Sequence, residues 1–335
     1  LLGRLGGRKS AMSSQIDNVR KYYESTVLDY WEFWTGTQDL AMHLGYYDDT
    51  ITTHAHSLLK MNAILADYAS VSSRDRVLDA GCGYGGSAIW LARNIGCEVM
   101  GIDVVPHQLA EANKFADSYQ VSDKVGFRLE DFTSTSFADG SFDVVWAVES
   151  VGHAENKEQF IAEACRLLHG GGRILISEIV LSDNPSLTPE KEDILMPYRR
   201  GWAIPNMLTS GQYTSLLERI GFKAVQTYDL TDNIRLSVNR LGQLSREALP
   251  RVRRSFRSKA WDKNRFANVL ACASFESALQ LGLWRYIVVV GRRGDEHTGR
   301  STEGEPSGST SADGGKFFSR HVRSCNPPSL GSLFS

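Results

Sequence analysis

The chain has 335 residues, 42% of them hydrophobic, and a formal net charge of −2. A chain of this length can bury a sizeable core, as one large domain or one with an elaborated cap, and its near-neutral charge argues against a dedicated nucleic-acid binder, which is usually basic. It holds no run of about eighteen apolar residues, so a membrane span is not expected.

The first nine residues, from Leu1 to Lys9, are basic and include three leucines, but they are too short and polar for a secretory signal. Leu1 is not an initiator, so a fragment or a processed form is expected. Met12, followed by Ser13 and Ser14, would serve as a natural start, and a trimmed organelle-targeting segment is the alternative. Residues 1–17 are expected to form a disordered extension. Residues 18–70 read as helices with a loop, and carry an aromatic cluster of Tyr22, Tyr23, Tyr30, Trp31, Phe33 and Trp34. His43 opens the run His43-Leu44-Gly45-Tyr46-Tyr47, as either a structural histidine or a site residue.

The most informative stretch follows. Val77-Leu78-Asp79-Ala80 reads as an apolar strand with an acid near its end. Gly81, Gly83 and Gly86 fit G-x-G-x-x-G, and an apolar helix begins at Ala88. The glycine pattern alone would suit a dinucleotide. Asp79 changes that reading, because a carboxylate two residues before the first glycine would repel a pyrophosphate and suits a ligand with an ammonium group. The glycines still allow close backbone approach. A nucleoside joined to a cationic amino-acid arm, without phosphate, is S-adenosylmethionine.

Downstream, Glu98 to Asp103 is a second strand ending in an acid, about twenty residues on, where a carboxylate can hold ribose hydroxyls. Lys124 to Phe132 is a third, whose acidic end, Glu130 and Asp131, suits an adenine amino group. Ser141 to Glu149 is a fourth, leading to Ser150 and His153, and Gly170 to Glu178 a turn and a fifth. Strands alternating with helices indicate a parallel sheet covered on both faces, with ligands at the carboxyl ends of the strands.

Beyond the fifth strand, prolines at 185, 189, 197 and 205 predict a less regular insertion. Residues 210–220 read as an amphipathic helix ended by Gly221, residues 222–230 as a strand, residues 234–283 as helical with a break at Pro250, and residues 284–291 as a final apolar strand. Arg246, Arg251, Arg253, Arg254, Arg257, Lys259, Lys263 and Arg265 make a basic stretch. It reads more readily as a solvated, salt-bridged face than as a membrane-surface helix, so peripheral membrane contact stays open. Gly, Ser, Thr, Pro and charges dominate 294–335, expected to be a dispensable disordered tail. Cys82, Cys97, Cys165, Cys272 and Cys325 show no metal or disulfide spacing. That points to a reducing compartment and a cytoplasmic location, and no histidine spacing suggests a metal.

The motifs from Val77 to Glu178 resemble, as a set, the class I S-adenosylmethionine-dependent methyltransferases, with the likeness running from about Asn18 to Arg293. Tyr22-Tyr23-Glu24, Phe33-Trp34, His43 to Tyr47, Gly83-Tyr84-Gly85-Gly86-Ser87 and Glu149 to Ala154 narrow it to the small-molecule branch of γ-tocopherol, sterol and sarcosine/dimethylglycine methyltransferases. The resemblance implies an α/β fold with a doubly wound, mostly parallel seven-stranded sheet. It adds a helical cap before the first strand, a substrate-side insertion after the fifth, and last two strands forming an antiparallel edge. One methyltransferase domain would span 18–293. It implies a cofactor site of Asp79, Gly81, Gly83, Gly85, Asp103, Val104, Glu130, Asp131, Phe132, Ala147 and Tyr22, and substrate contacts from Tyr23, His43 and Trp202.

Methyl transfer from a sulfonium is an in-line displacement in which the protein mainly aligns reactants and excludes water. A phenol or carbon acceptor benefits from a base, whereas a neutral amine does not need one. His153 is the expected base, with Glu149 beside it to touch cofactor, bind a cationic substrate or support His153. The expected acceptor is a small amphipathic molecule such as a prenylated phenol, terpenoid or alkaloid. The alternatives are N-methylation of a small amine on the betaine route, or a non-methylating role on the same fold, such as a cyclase.

Overall fold

The computed structural model describes residues 3–29, 40–183, 188–257 and 263–294. Tyr30, Trp31, Phe33, Trp34, Lys259 and the tail from 295 onward lie outside the described residues.

Seven strands form one sheet: β1 (Arg76–Ala80), β2 (Glu98–Asp103), β3 (Val125–Leu129), β4 (Phe142–Val148), β5 (Leu168–Leu181), β6 (Phe222–Asp229) and β7 (Trp284–Arg293), in the order β3-β2-β1-β4-β5-β7-β6. β1 pairs in parallel with both β2 and β4. Strand order reverses between β1 and β4, which is where an open α/β sheet leaves a crevice at its carboxyl edge. The last two strands form the antiparallel edge, as expected. β7 is antiparallel to β5 and to β6, so β7 alone runs against the sheet and β6 is again aligned with it.

β4 shows why the sheet must be covered on both sides. Val144, Val145, Trp146 and Ala147 are all fully buried, and such a run needs apolar partners above and below. Trp146 joins the core formed with α2 (His54–Tyr68), α3 (Gly86–Asn94), α8 (Thr231–Arg257) and α9 (Lys263–Gln280). Its neighbours Val145 and Ala147 join the opposite core, against α5 (Lys157–Leu167) and α7 (Ser210–Ile220). α4 (Pro106–Ser118) follows β2 and begins with proline in its first turn, where a missing N–H is harmless.

α1 (Gly3–Asp29) is the cap. Residues 3–17, expected to be a disordered extension, are continuous with it. Gln15 ties its middle down, donating through Nε2 to the carbonyls of His153 (3.0 Å) and Ala203 (2.9 Å). Its end is fixed to α9: the buried Asp29 carboxylate accepts from Arg265 at 2.7 Å and from Asn268 at 3.2 Å.

The insertion after β5 is more regular than its prolines suggest. α6 (Pro189–Gly201) starts on Pro189 and tolerates Pro197 inside. It crosses α9 so closely that a Cβ on Gly201 would sit 2.5 Å from the Ala267 carbonyl oxygen. Pro250 does not break α8 either. Ile234, Val238, Leu241, Ala248 and Val252 bury one stripe on both sides of it, and that packing outweighs the local penalty. Within the basic stretch, Arg246 is exposed and pairs with Glu276, as a solvated, salt-bridged face requires, whereas Arg265 turns inward onto the buried Asp29.

Candidate active site

The carboxyl ends of β1, β2 and β4 open into a cleft of about 1110 Å³ roofed by α1 and by the residues following position 40. Backbone geometry at the glycine turn is what makes room. Gly81 and Gly83 have φ of +85° and +53°, values that favour glycine. A Cβ on Gly83 would lie 2.9 Å from the Met42 sulfur, and one on Gly86 2.6 Å from the Leu40 carbonyl oxygen. Asp103 braces the turn, accepting from the Gly83 N–H at 3.0 Å and the Val105 N–H at 3.0 Å.

Asp79 is 3% exposed, and its Oδ2 has no hydrogen-bond partner. Burial, and then the neighbouring Asp103 charge, push its pKa up to about 7. A buried carboxyl oxygen in want of a donor carries a desolvation cost that a cationic ligand would offset. Burial likewise raises Asp103. At the far side, Asp131 accepts from the Thr133 N–H and hydroxyl, both at 2.8 Å, with Phe132 beside it on the cleft wall.

Of the residues expected at the cofactor, Asp79, Gly81, Gly83, Asp103, Val104, Asp131 and Phe132 border the cleft. Four do not. Gly85, with φ +79°, serves the start of α3, where a Cβ would lie 2.5 Å from the Phe127 ring. Glu130 turns outward to Arg128 and Ser136. Ala147 is buried in the core on the α5 side of the sheet, set there by strand alternation. Tyr22 points inward instead, its hydroxyl donating to Asn268 at 3.1 Å.

A second cavity, of about 410 Å³, lies behind the first and shares Tyr23, Met42, Glu149 and His153 with it. Trp202 lines this second cavity, with Tyr22, Tyr198 and Ile204, rather than the cleft. The Tyr23 hydroxyl and His153 Nε2 sit 2.9 Å apart. Burial lowers His153 to about 4, against an upward pull from the Ala203 carbonyl, so the imidazole is neutral at physiological pH. Glu149 follows β4 with φ +50°, a strained conformation for a residue with a side chain. Its Oε1 accepts from the Leu44 N–H and the Tyr286 hydroxyl, both at 2.8 Å, and burial raises its pKa to about 8. His43 borders the cleft, its Nδ1 on the Leu44 carbonyl at 3.0 Å, and burial lowers its pKa.

Sequence reasoning missed Met42, Gln108 and Glu178. Gln108 is a polar residue on the buried face of α4, alongside Leu109 and Ala112, and that break in an apolar stripe was a usable signal. Glu178 is buried in the wall of the second cavity, accepting from the N–H groups of Gly152 (2.7 Å) and Ile179 (2.9 Å). Met42 stands in an irregular segment with no pattern to mark it.

A family model described as a methyltransferase domain matches residues 78–176. The chain is 32% identical over 200 residues to the methyltransferase GfsG of Streptomyces halstedii, covering 58% of this chain and 70% of that protein. The chain belongs to the S-adenosylmethionine-dependent methyltransferase family. It is also 30% identical over 206 residues to a probable tocopherol O-methyltransferase of Oryza sativa, covering 58% of this chain and 57% of that one. The first curated relatives are matched over 54–66% of their own lengths. The crystal structure of the cyclase SpnF superposes with a TM-score of 0.69 at 20% identity, over 83% of this chain and 96% of that one. The orphaned Asp79 oxygen and the side-chain-free approach at Gly83 fit the family's cofactor.

Proposed function

We propose that the protein transfers a methyl group from S-adenosylmethionine to a small, amphipathic organic acceptor. The observation that carries this reading is the meeting of two cavities at Tyr23, Met42, Glu149 and His153. Asp79 would hold the amino-acid arm of the cofactor, Asp103 its ribose, and Asp131 with Phe132 its base. Bound there, the cofactor supplies an electrophilic methyl group.

The second cavity receives the acceptor. Tyr22, Tyr23, Tyr198 and Trp202 give it an aromatic lining, which stabilises a bulky apolar body, and Tyr23 with His153 supplies polar atoms for orientation. With its pKa near 4, His153 is a weak base toward a phenol, so its contribution is largely to hold the acceptor in line. Glu149, raised to about 8, holds its proton at neutral pH: Oε1 still accepts from Leu44 and Tyr286, and the second oxygen donates. A prenylated phenol, terpenoid or alkaloid suits this lining, in keeping with the tocopherol O-methyltransferase named among the relatives.

Two carboxyl groups, the half-buried Glu149 and the buried Glu178, border the same cavity. They favour a second reading, N-methylation of a small amine, in which an ionised carboxylate pairs with the incoming ammonium and takes up the proton it loses before the neutral nitrogen attacks. The cyclase among similar structures makes a non-methylating role a third outcome. Incubation with methyl-labelled cofactor and a panel of phenols, amines and sterols tests all three. Label in a phenol or sterol supports the first reading, label in an amine alone the second. Cofactor binding without label transfer to any of them contradicts both.

A further inference from the structure

A third cavity, of about 1180 Å³, lies between α1, α6 and the start of α9. Its walls include Lys21, Arg199, Arg200 and Lys263, and no aspartate or glutamate among the described residues. Arg199 donates to the Pro205 carbonyl at 2.5 Å, while its Nε is buried without a hydrogen-bond partner. A buried guanidinium N–H left unsatisfied is costly and marks a place for an acceptor atom. Four cations facing one space repel each other, and an anion there would relieve that repulsion. This cavity also shares Tyr22 and Ile204 with the aromatic acceptor cavity, and Gln15 with the cofactor cleft. Tyr22 and Ile204 thus form a common wall between an apolar chamber and a cationic one.

We infer that this cavity binds an anionic group, a phosphate or carboxylate, carried by the acceptor molecule, while the acceptor's apolar body occupies the aromatic chamber. The inference rests on the proposed methyl transfer for its view of the acceptor chamber, and it narrows the acceptor to an amphiphile with a negative end. Guanidinium groups suit planar, two-point recognition of such oxygens. Lys21 and Lys263 add point charges at the rim.

Equilibrium binding of decyl phosphate, decanol and inorganic phosphate to the full chain tests it, in wild type and in the Lys21→Glu and Arg200→Glu variants. S-adenosylhomocysteine affinity is measured alongside as a check on folding and on the cofactor site. Decyl phosphate should bind about 10-fold or more tighter than decanol and than inorganic phosphate. Either charge reversal should remove most of that advantage and leave S-adenosylhomocysteine affinity unchanged. Equal binding of decyl phosphate and decanol overturns the inference, as does insensitivity to both reversals. Inorganic phosphate binding as tightly as decyl phosphate overturns the link to the apolar chamber. Loss of S-adenosylhomocysteine binding in the wild type would instead defeat the cofactor reading and is read separately.

Discussion

Asp79 concentrates the conflict between folding and binding at one side chain. Its pKa is pushed up to about 7 by burial, so its ionisation works against the unliganded fold. That cost is absent below the ordinary value near 3.8, where the group is protonated in both folded and unfolded chains, and reaches full size above about 7. Asp79→Asn should therefore stabilise the unliganded protein at pH 8 by roughly 2 kcal/mol in denaturant unfolding, while weakening S-adenosylhomocysteine binding severely. A variant that unfolds more easily and binds normally would refute this role. In the wild type, affinity should fall by up to about tenfold per pH unit below 7, as Asp79 takes up a proton. His153 gives the opposite contrast. Half-buried and neutral, with a pKa near 4, it should leave no inflection between pH 5 and 8 in the rate profile. His153→Ala should lower turnover about 10²-fold through lost alignment, with cofactor affinity unchanged. An inflection near 6.5 that vanishes in the variant would restore it as a titrating base.

Among the elements, α1 and the α6–α9 crossing shape the acceptor side. Asp29 is fully buried against Arg265 and Asn268, so Asp29→Ala should cost roughly 3 kcal/mol, because it removes the carboxylate that a partly buried guanidinium faces. Unchanged unfolding by urea would show that the cap contributes little. Gly201→Val should reduce turnover more than cofactor affinity. A side chain there meets the Ala267 carbonyl and forces α6 away from α9, widening the chamber that Tyr198 and Trp202 line. The parts legible in sequence were those with a strict local signature. The central strands follow from short, continuous apolar runs, the glycine turn from backbone positions that tolerate no side chain, and Asp79, Asp103 and Asp131 from their places at or near the ends of those runs. Less legible was what depends on a partner distant in sequence. The break at Pro250 is absent because the stripe continuing through Val252 overrides a local penalty. Tyr22 turns from the cleft because Asn268, 246 residues on, accepts its hydroxyl. Ala147 and Glu130 sit next to true cleft residues in sequence, but strand alternation and an outward ion pair point them elsewhere.

On the scale of the whole molecule, three cavities adjoin, the first two at Tyr23, Met42, Glu149 and His153 and the last two at Tyr22 and Ile204. In the proposed reading, the cleft at the β1–β4 switch point would take the cationic amino-acid arm, the aromatic chamber the apolar body and the basic chamber the negative end. The sheet's switch point fixes the floor of the first, and α1 with the segment from Leu40 roofs it. The second joins α1 and the end of α6 to β5 and the turn after β4, and the third is built by α1, α6 and α9, so much of the wall lies on segments that the sheet does not determine. Everything on the acceptor side presupposes that the first cavity takes the cofactor. The most direct test is calorimetric titration of the full chain with S-adenosylhomocysteine and with NAD, repeated on Gly83→Val. Saturable binding of S-adenosylhomocysteine, no competition by NAD, and loss of binding in the variant are the expected results, since the β-branched side chain would fill the approach path beside Met42. Tight NAD binding, or S-adenosylhomocysteine binding that survives Gly83→Val unchanged, would contradict the account.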